Sequence, residues 1–285
     1  MHWQTTHHRI DLSVPKIMGI VNTTPDSFSD GGQFHGAAQA IDHCKRLIDE
    51  GADILDIGGE SSRPGAQPVP LDEERRRVLP VLEAVLAMGH PVSVDTTKPA
   101  LMADALALGA DIINDIHALS TPDALAVVAA HPHCGVCLMH MQGEPPSMQA
   151  QPRYRDVVAD VQTMLQARAE ALLGAGVAAD RLVLDPGIGF GKTSEHNLEL
   201  LRRQRELLAL GRPLLVGWSR KSTLGVLTGR PVEDRLAASL AAALAAVAHG
   251  ARILRVHDVA ATADALKVWS AAGGPITPAA GDVLQ

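Results

Sequence analysis

Three polar side chains stand where short runs of Val, Ile and Leu end: Asp95, Asn114 and Asp185. An ionised aspartate only accepts hydrogen bonds, whereas an asparagine side chain both donates and accepts them. Two carboxylates buried side by side cost free energy unless a donor-rich partner neutralises them. Together, the three residues are suited to hold a heterocycle with an amino-pyrimidine edge. Any one of them could instead cap the following helix or accept from loop amides, but three equivalent placements favour a ligand.

Basic side chains in the last quarter of the chain form a second candidate group. Arg255 and His257 are two residues apart in an apolar run, so a strand would place both on one face. A guanidinium beside an imidazole suits a phosphate. Lys221 and Ser222 stand where another apolar run gives way to a helix, and the free N–H groups at a helix start bind carboxylate or phosphate. The alternatives are a surface ion pair for Arg255 and a hydrogen-bonded core imidazole for His257.

These residues belong to a repeat of eight strand-like runs, each followed by a helix-like stretch. The runs cover residues 17–21, 54–57, 92–94, 112–113, 136–139, 182–184, 214–216 and 253–256. Near-continuous apolar runs are typical of parallel strands that are buried on both faces. Eight strand–helix units predict an α/β fold, a (β/α)8 TIM barrel, which commonly takes about 250 residues and carries its active site where the strands end.

A single domain with two terminal extensions is expected. The barrel is predicted over 17–270, with polar, irregular residues 1–16 covering its bottom and a disordered tail over 271–285, rich in Gly, Pro and Ala. Helices are predicted at 37–50, 71–88, 100–108, 122–130, 156–173, 195–210, 232–248 and 261–270. Long connections follow three of the strands, at 23–36, 60–70 and 141–153. Binding loops are therefore expected at the end of the barrel where the strands finish.

The composition bounds the class of protein. The chain has 285 residues, 46% of them hydrophobic and 20% charged, which is typical of a soluble protein. Since no apolar run approaches the roughly 20 residues of a membrane span and the N-terminus lacks the apolar stretch of a secretory signal, we expect a cytoplasmic protein. A net charge of −7 argues against a broad nucleic-acid surface. Basic residues at the strand ends of an acidic protein indicate a small anionic substrate.

Several features carry no assigned chemistry. Residues 187–193 imitate the end of a phosphate-binding loop, but proline stands at 186, where that motif needs glycine. Cys134 and Cys137 lead into a strand, whereas redox pairs sit at helix starts, and zinc would need further ligands, so both are expected to be structural. His140 ends the fifth run without an assigned role. The alanine-rich stretch 235–249 predicts either close packing on the barrel or a flat face for a second subunit.

Taken in chain order, the polar motifs resemble those of the dihydropteroate synthases over about residues 15–270. The motifs are Met18-Gly-Ile-Val-Asn-Thr-Thr-Pro-Asp-Ser-Phe-Ser-Asp-Gly-Gly32, Gly58-Gly-Glu-Ser-Ser-Arg-Pro-Gly65, Ser93-Val-Asp-Thr96, Ile113-Asn-Asp115, Met139-His-Met-Gln-Gly143, Leu184-Asp-Pro-Gly-Ile-Gly-Phe-Gly-Lys192, Ser219-Arg-Lys-Ser222 and Arg255-Val-His-Asp258. The resemblance implies a transferase that condenses p-aminobenzoate with 6-hydroxymethyl-7,8-dihydropterin diphosphate. The products are 7,8-dihydropteroate, in folate biosynthesis, and diphosphate. It also implies competition by sulfonamides and a homodimer. Since an electron-rich dihydropterin can stabilise positive charge on its exocyclic methylene, an SN1-like path is expected.

The same resemblance implies a role for each matching residue. The residues implied to hold the pterin are Asp95, Asn114, Asp185 and Lys221. Those implied to handle the diphosphate and Mg²⁺ are Asn22, Arg255 and His257, with Asn22 as the protein's ligand to the magnesium. Those implied to line the p-aminobenzoate site are Phe28, Ser62, Arg63, Pro64 and Ser222. The expected catalytic residues are Asp95, Asp185, Lys221 and Arg255.

Two other functions would share the pterin contacts. A barrel that passes the methyl group of a methylated pterin to a corrinoid or thiol has no need of Ser61-Ser-Arg-Pro-Gly65 or Ser219-Arg-Lys-Ser222, which are both intact here. A pterin-binding paralogue without synthase activity would show disrupted loops or lost basic residues, and neither is seen. The synthase is therefore the preferred prediction.

Overall fold

A computed structural model describes residues 1–24, 33–63 and 65–275. The strands are β1 (His2–Gln4), β2 (Arg9–Asp11), β3 (Lys16–Asn22), β4 (Ile54–Gly58), β5 (Val92–Asp95), β6 (Ile112–Asp115), β7 (Gly135–Met139), β8 (Leu182–Asp185), β9 (Leu214–Val216) and β10 (Ala251–Val256). Within the described residues, eight parallel strands, β3 to β10, close into a barrel in chain order, with β10 paired to β3. The predicted (β/α)8 TIM barrel is confirmed.

Helices follow each of the strands from β3 to β10 along the chain. They are α1 (Gln33–Asp49), α2 (Leu71–Leu86), α3 (Pro99–Leu108), α4 (Pro122–Ala130), α5 (Val157–Gly174), α6 (Ser194–Arg202), α7 (Ser222–Thr228), α8 (Leu236–Ala248) and α9 (Val259–Ala271). Most bounds agree with the predictions to within a few residues. None of these helices, in the ranges that the structure describes, has the length and apolar character to cross a membrane.

Two predicted helices differ from the observed ones. The helix predicted over 195–210 divides into α6 and a 3₁₀ turn, Gln204–Leu210. Gln204, at the start of that turn, is buried and donates to the carbonyls of Ala246 and His249 at the end of α8. The helix predicted from 232 starts with a separate 3₁₀ turn, Val232–Asp234, before α8 begins at Leu236. Helical periodicity alone does not distinguish these tighter turns from a continuous helix.

The N-terminal residues, expected to be irregular, form the antiparallel hairpin β1–β2. Trp3 is fully buried, and its indole N–H donates to the carbonyl of Arg181, just before β8, at 2.8 Å. Trp3, Ile10 and Leu12 pack in one apolar cluster with inward-facing residues of the barrel strands such as Met18. The hairpin therefore covers the end of the barrel where the strands begin.

A buried carboxylate fastens this hairpin to the barrel. Asp111, which precedes β6 and is 1% exposed, accepts hydrogen bonds from the hydroxyl of Thr5 at 3.1 Å and the backbone N–H of His7 at 2.9 Å. Its other oxygen accepts from the backbone N–H of Val92 at 3.2 Å. Since all three bonds are internal, the carboxylate keeps its hydrogen bonds although it is withdrawn from water.

Candidate active site

The carboxyl ends of the barrel strands bring the predicted polar residues together. Asp95 and Asn114 are register partners on β5 and β6, and Asp185 ends β8. Side chains alternate along a strand, and the residues two positions earlier, Ile112 and Val183, belong to the apolar cluster that fills the barrel. Asn114 and Asp185 therefore face the same interior, one level nearer the mouth.

Arg255 connects two carboxylates across the mouth. Its Nε donates to Asp56 Oδ2 at 2.6 Å, and its Nη2 donates to Asp95 Oδ2 at 2.8 Å. The side-chain amide of Asn114 also donates to Asp56 Oδ2, at 3.2 Å. Burial opposes the charge of Arg255, but Asp56 and Asp95 outweigh it and raise the pKa of the guanidinium. Burial raises the pKa of Asp95 to about 7, against the pull of Arg255 and with the help of Asp56.

Asp56 is a site residue that strand-end motifs do not reveal, because it lies inside the apolar run of β4. Its side chain is fully buried, and its Oδ1 has no hydrogen-bond partner among the described residues. The hydroxyl of Ser93, its register partner on β5, is also buried without a hydrogen-bond partner among the described residues. The available signal was a charged residue at an inward-facing position of a strand that is otherwise apolar.

A second ionic group lies on the β8 and β9 side of the mouth. Asp185 Oδ1 accepts from the backbone N–H of Gly187 at 2.7 Å, and burial raises the pKa of Asp185 to about 6. The Nζ of Lys221 stands 4.4 Å from the centre of the Phe190 ring, a cation–π geometry. Burial lowers the pKa of Lys221 to about 8, although Asp185 opposes that shift. Both groups are thus less firmly ionised than they would be in water.

His257 is held as a neutral imidazole. Its Nδ1 lies 3.0 Å from the Ser219 hydroxyl, which also accepts from the His257 backbone N–H at 3.2 Å. Burial lowers the pKa of His257 to about 3, and Arg255 adds to the shift. Near neutral pH, Arg255 and His257 therefore offer an anion one cation and one neutral hydrogen-bonding ring.

The loop after β4 lies at the edge of the mouth. Ser62 is half-buried and Arg63 is exposed, and the charge of Arg63 contributes to the lowered pKa of both Lys221 and His257. The base of this loop is fixed by Glu60, which contacts Lys98 Nζ and accepts from the backbone N–H of Val69 at 3.0 Å.

Of the three other residues predicted to contact p-aminobenzoate, the structure describes one. Ser222 is the exposed first residue of α7, directly after Lys221. Phe28 and Pro64 lie outside the described residues.

The comparisons with known proteins agree on one family. The family model described as pterin binding enzyme matches residues 18–257. Dihydropteroate synthase of Neisseria meningitidis serogroup B is 54% identical over 277 residues, which are 95% of this chain and 97% of that protein. The structure of Xanthomonas albilineans dihydropteroate synthase with 4-aminobenzoic acid has a TM-score of 0.90 and 49% identity, covering 96% of this chain and 100% of the other. The chain belongs to the dihydropteroate synthase family.

Another structure of this family extends the agreement to a complex with a pteroate. Burkholderia cenocepacia dihydropteroate synthase complexed with 7,8-dihydropteroate has a TM-score of 0.87 and 49% identity, covering 95% of this chain and 96% of the other. The similarity therefore spans the barrel and both of its ends rather than one motif.

The residue predicted to hold Mg²⁺ lies at the end of a barrel strand. Asn22, the predicted ligand, ends β3 as the register partner of Gly58 and is half-buried. In the described parts of the chain, no group of three or more His, Cys, Asp or Glu side chains could hold a metal. One amide oxygen suits Mg²⁺, which takes most of its ligands from water and substrate phosphates.

The two motifs without assigned chemistry lie at different ends of the barrel. The glycine-rich residues 187–193 follow β8 at the mouth, whereas Cys134 precedes β7 at the base. Gly187 and Gly191 have φ values of +67° and +60°, and a Cβ on Gly187 would lie 1.9 Å from the His140 carbonyl oxygen. The sulfur of Cys134, the residue directly before β7, accepts from Arg181 Nη2 at 3.0 Å. Burial raises the pKa of both Cys134 and Cys137, which supports a structural role for the two thiols.

Proposed function

We propose that this chain condenses 6-hydroxymethyl-7,8-dihydropterin diphosphate with p-aminobenzoate, giving 7,8-dihydropteroate and diphosphate. The observation that carries the proposal is the convergence of Asp95, Asn114 and Asp185 with Lys221 and Arg255 at one mouth. Binding groups of both signs suit a substrate that joins a donor-rich ring to a diphosphate. The similarity to the dihydropteroate synthase of Neisseria meningitidis serogroup B, which is 54% identical over 95% of this chain, supports the proposal.

The pterin ring is assigned to the floor of the mouth. The carboxylates of Asp95 and Asp185 accept from the amino and ring N–H groups, and Asn114 can both accept and donate. Lys221, placed over Phe190, donates to a ring acceptor. A pterin that supplies donors to Asp95 and Asp185 lowers the cost of keeping those carboxylates ionised and buried.

The diphosphate is assigned to Arg255, His257 and Asn22. The Nη1 atom of Arg255 has no bond to Asp56 or Asp95 among the contacts described above, so the guanidinium can serve the carboxylates and an anion together. The neutral His257 can donate one further hydrogen bond. Asn22 would hold Mg²⁺, which when bound neutralises charge on the leaving diphosphate.

The arylamine is assigned to the outer part of the mouth. Ser62 and Arg63 lie on the β4 loop, and Ser222 starts α7; their hydroxyl and guanidinium groups suit a carboxylate. Phe28 and Pro64 are proposed to complete this part of the site. Sulfonamides resemble p-aminobenzoate, so they are proposed to compete there.

The residues at the mouth favour bond breaking ahead of attack. As the C–O bond breaks, its electron pair leaves with the diphosphate, and the electron-rich dihydropterin stabilises positive charge on the exocyclic methylene. The arylamine nitrogen then forms the C–N bond and releases a proton. Asp95 and Asp185 favour the positive charge on the ring, and the neutral arylamine needs no strong base. An SN1-like path therefore fits a mouth of binding groups.

A homodimer is proposed through α7 and α8. Val226 is 71% exposed, Leu227 56%, Val232 44% and Leu236 42%, and all four lie on or between these helices. Adjacent exposed apolar side chains mark interaction surfaces. Light scattering of the purified protein should give twice the chain mass, and Val226→Asp should give a monomer; a monomeric wild type would contradict the dimer.

One assay tests the proposed reaction. Purified protein, dihydropterin diphosphate, p-aminobenzoate and Mg²⁺ should yield dihydropteroate and an equal amount of diphosphate, both measured by chromatography. Asp185→Ala should yield neither, whereas Asp264→Ala, an exposed carboxylate of α9, should match the wild type. Absence of both products from the wild type would overturn the proposal. Transfer of a methyl group from a methylated pterin to a thiol would favour the methyltransferase alternative.

A further inference from the structure

A buried lysine lies beside the pterin floor without belonging to the groups assigned above. Lys192, in the connection between β8 and α6, is 2% exposed. Its Nζ lies 2.9 Å from His140 Nδ1 and donates to the carbonyl oxygens of Gly187 at 2.9 Å, Phe190 at 3.0 Å and His140 at 3.3 Å. All four partners are neutral, and burial lowers the pKa of Lys192 to about 7 although the charge of Asp185 opposes the shift.

Each of those partners also contacts the pterin floor. Gly187 donates its backbone N–H to Asp185 Oδ1 at 2.7 Å. Phe190 supplies the ring beneath Lys221. His140, which follows β7, donates its backbone N–H to the carbonyl of Asp185 at 2.9 Å. The Lys192 ammonium is therefore the common contact of three residues that locate Asp185 and Lys221.

The turn itself requires a donor of this kind. Positive φ values at Gly187, Gly189 and Gly191 fold the chain tightly, and the turn directs carbonyl oxygens of Gly187 and Phe190 at one buried point. Buried carbonyls need donors, and a lysine ammonium supplies three on a long stem. An apolar side chain of equal length would fill the space but leave those oxygens without partners.

His140 is suited to be the fourth acceptor. Burial and the charge of Lys192 lower the pKa of His140 to about 3, so the ring is neutral. A protonated Lys192 facing Nδ1 makes that nitrogen the acceptor. The ring also stands 6.0 Å, between centroids, from Tyr154, whose hydroxyl donates to the carbonyl of Gly191 at 2.8 Å. The loop after β7 and the loop after β8 are thereby joined through Lys192, His140 and Tyr154.

We propose that Lys192 and His140 form a positioning pair that holds Asp185 and the Phe190–Lys221 contact in the geometry that binds the pterin ring. The pair touches no substrate and acts through the turn. This inference rests on the proposed pterin-binding function. It gives a task to the lysine that imitates a phosphate loop and to the histidine that had no assigned role.

The test measures pterin binding separately from turnover. Calorimetry with dihydropterin diphosphate and Mg²⁺, without p-aminobenzoate, should show that Lys192→Met weakens binding at least tenfold. At saturating pterin, the KM for p-aminobenzoate should stay within twofold of the wild type, because the hydrogen bonds of Lys192 go to Gly187, Phe190 and His140 and not to the β4 loop or Ser222. The matched control is Lys16→Met, which removes a half-buried lysine at the other end of the barrel and should leave pterin binding unchanged.

A second set of variants keeps the test decisive if Lys192→Met does not fold. His140→Leu, which removes the acceptor, should weaken pterin binding as Lys192→Met does. His140→Gln, which keeps an acceptor oxygen, should bind pterin within threefold of the wild type. The double variant should lose no more than either single one, since the two side chains act as one unit.

Other outcomes would overturn the positioning pair. These are pterin affinity within twofold of the wild type in Lys192→Met or His140→Leu, additive losses in the double variant, or equal losses for both substrates that track the melting temperature. A wild type that binds pterin but releases no diphosphate would overturn the proposed reaction and leave the comparison of variants valid. A wild type that binds no pterin would overturn both.

Discussion

Buried charged side chains at the two ends of the barrel differ in their hydrogen bonding and in their pKa values. At the base, where the strands begin, Arg181 is 3% exposed and donates to the carbonyl oxygens of Cys134, Val128 and Pro132 and to the Cys134 sulfur. Asp111 at the same end is equally well provided with donors. Both of these buried charged groups have their partners inside the fold.

At the mouth, similar groups are left incompletely paired. Asp56 Oδ1 and Ser93 Oγ are buried without partners among the described residues. Burial raises the pKa of Asp95 and of Asp185 and lowers that of Lys221. Buried groups with strongly shifted pKa values are concentrated at functional sites. The difference indicates that Arg181 and Asp111 stabilise the fold, whereas the buried charges at the mouth, with their shifted pKa values, have the character of a binding site.

The sharpest way to break this comparison is to remove one arginine from each end. Arg255→Met leaves Asp56 and Asp95 without their cation, and Arg181→Met leaves carbonyls without donors; each should cost about 3–5 kcal/mol of unfolding free energy in urea titrations. Only Arg255→Met should also weaken diphosphate binding, by at least tenfold in calorimetry. A comparable loss of diphosphate binding in a folded Arg181→Met protein would show that the two ends are not independent.

Asp185→Asn should separate binding from stability at the mouth. The amide can still accept from Gly187 but not neutralise the pterin donors, so pterin affinity should fall on the order of 100-fold, or about 2.7 kcal/mol. Because the folded pKa of about 6 exceeds the unfolded 3.8, the ionised carboxylate destabilises the free protein above pH 6. At pH 8, the free energy of unfolding of the variant, measured by urea titration, should therefore exceed that of the wild type by about 1–3 kcal/mol. Wild-type pterin affinity in this variant would remove Asp185 from the pterin floor.

The pH dependence sharpens the same point. Asp95 and Asp185, with pKa values of about 7 and about 6, take up protons as the pH falls from 8 to 5. Protonated carboxyls accept poorly, so pterin affinity should fall about tenfold over this range. The free protein should gain stability from the same two groups as the pH falls from 7 towards 4, since the folded state binds those protons more tightly. Calorimetry and urea titration should thus slope in opposite directions; parallel slopes would contradict the assignment.

The smallest expected effect is at the base. Trp3→Phe keeps most of the ring packing but removes the indole bond to the Arg181 carbonyl, so the free energy of unfolding should fall by about 1 kcal/mol. Steady-state kinetics should give unchanged KM values for both substrates. A changed KM for the pterin would mean that the hairpin reaches the site through the barrel.

Strand periodicity was enough to predict the barrel and to place Asp95, Asn114 and Asp185 at one end, because parallel strands repeat and side chains alternate. It could not find Asp56, which has no special place in its run and gains meaning only from Arg255, 199 positions away. The sequence around Lys192 shows only an incomplete phosphate-binding motif and gives this lysine no role. Its burial follows from where a glycine-rich turn aims its carbonyls, which no local pattern reports. The hairpin β1–β2 was missed because its strands are only three residues long.

The hairpin over the base limits how ligands can reach the polar strand ends. Trp3, Ile10 and Leu12 pack into one apolar cluster with the residues that fill the barrel, so solvent meets Asp95, Asn114 and Asp185 from the side where the strands end. A molecule bound across the mouth would shield these groups from water, and their ionisation would then depend on the hydrogen bonds that this molecule supplies.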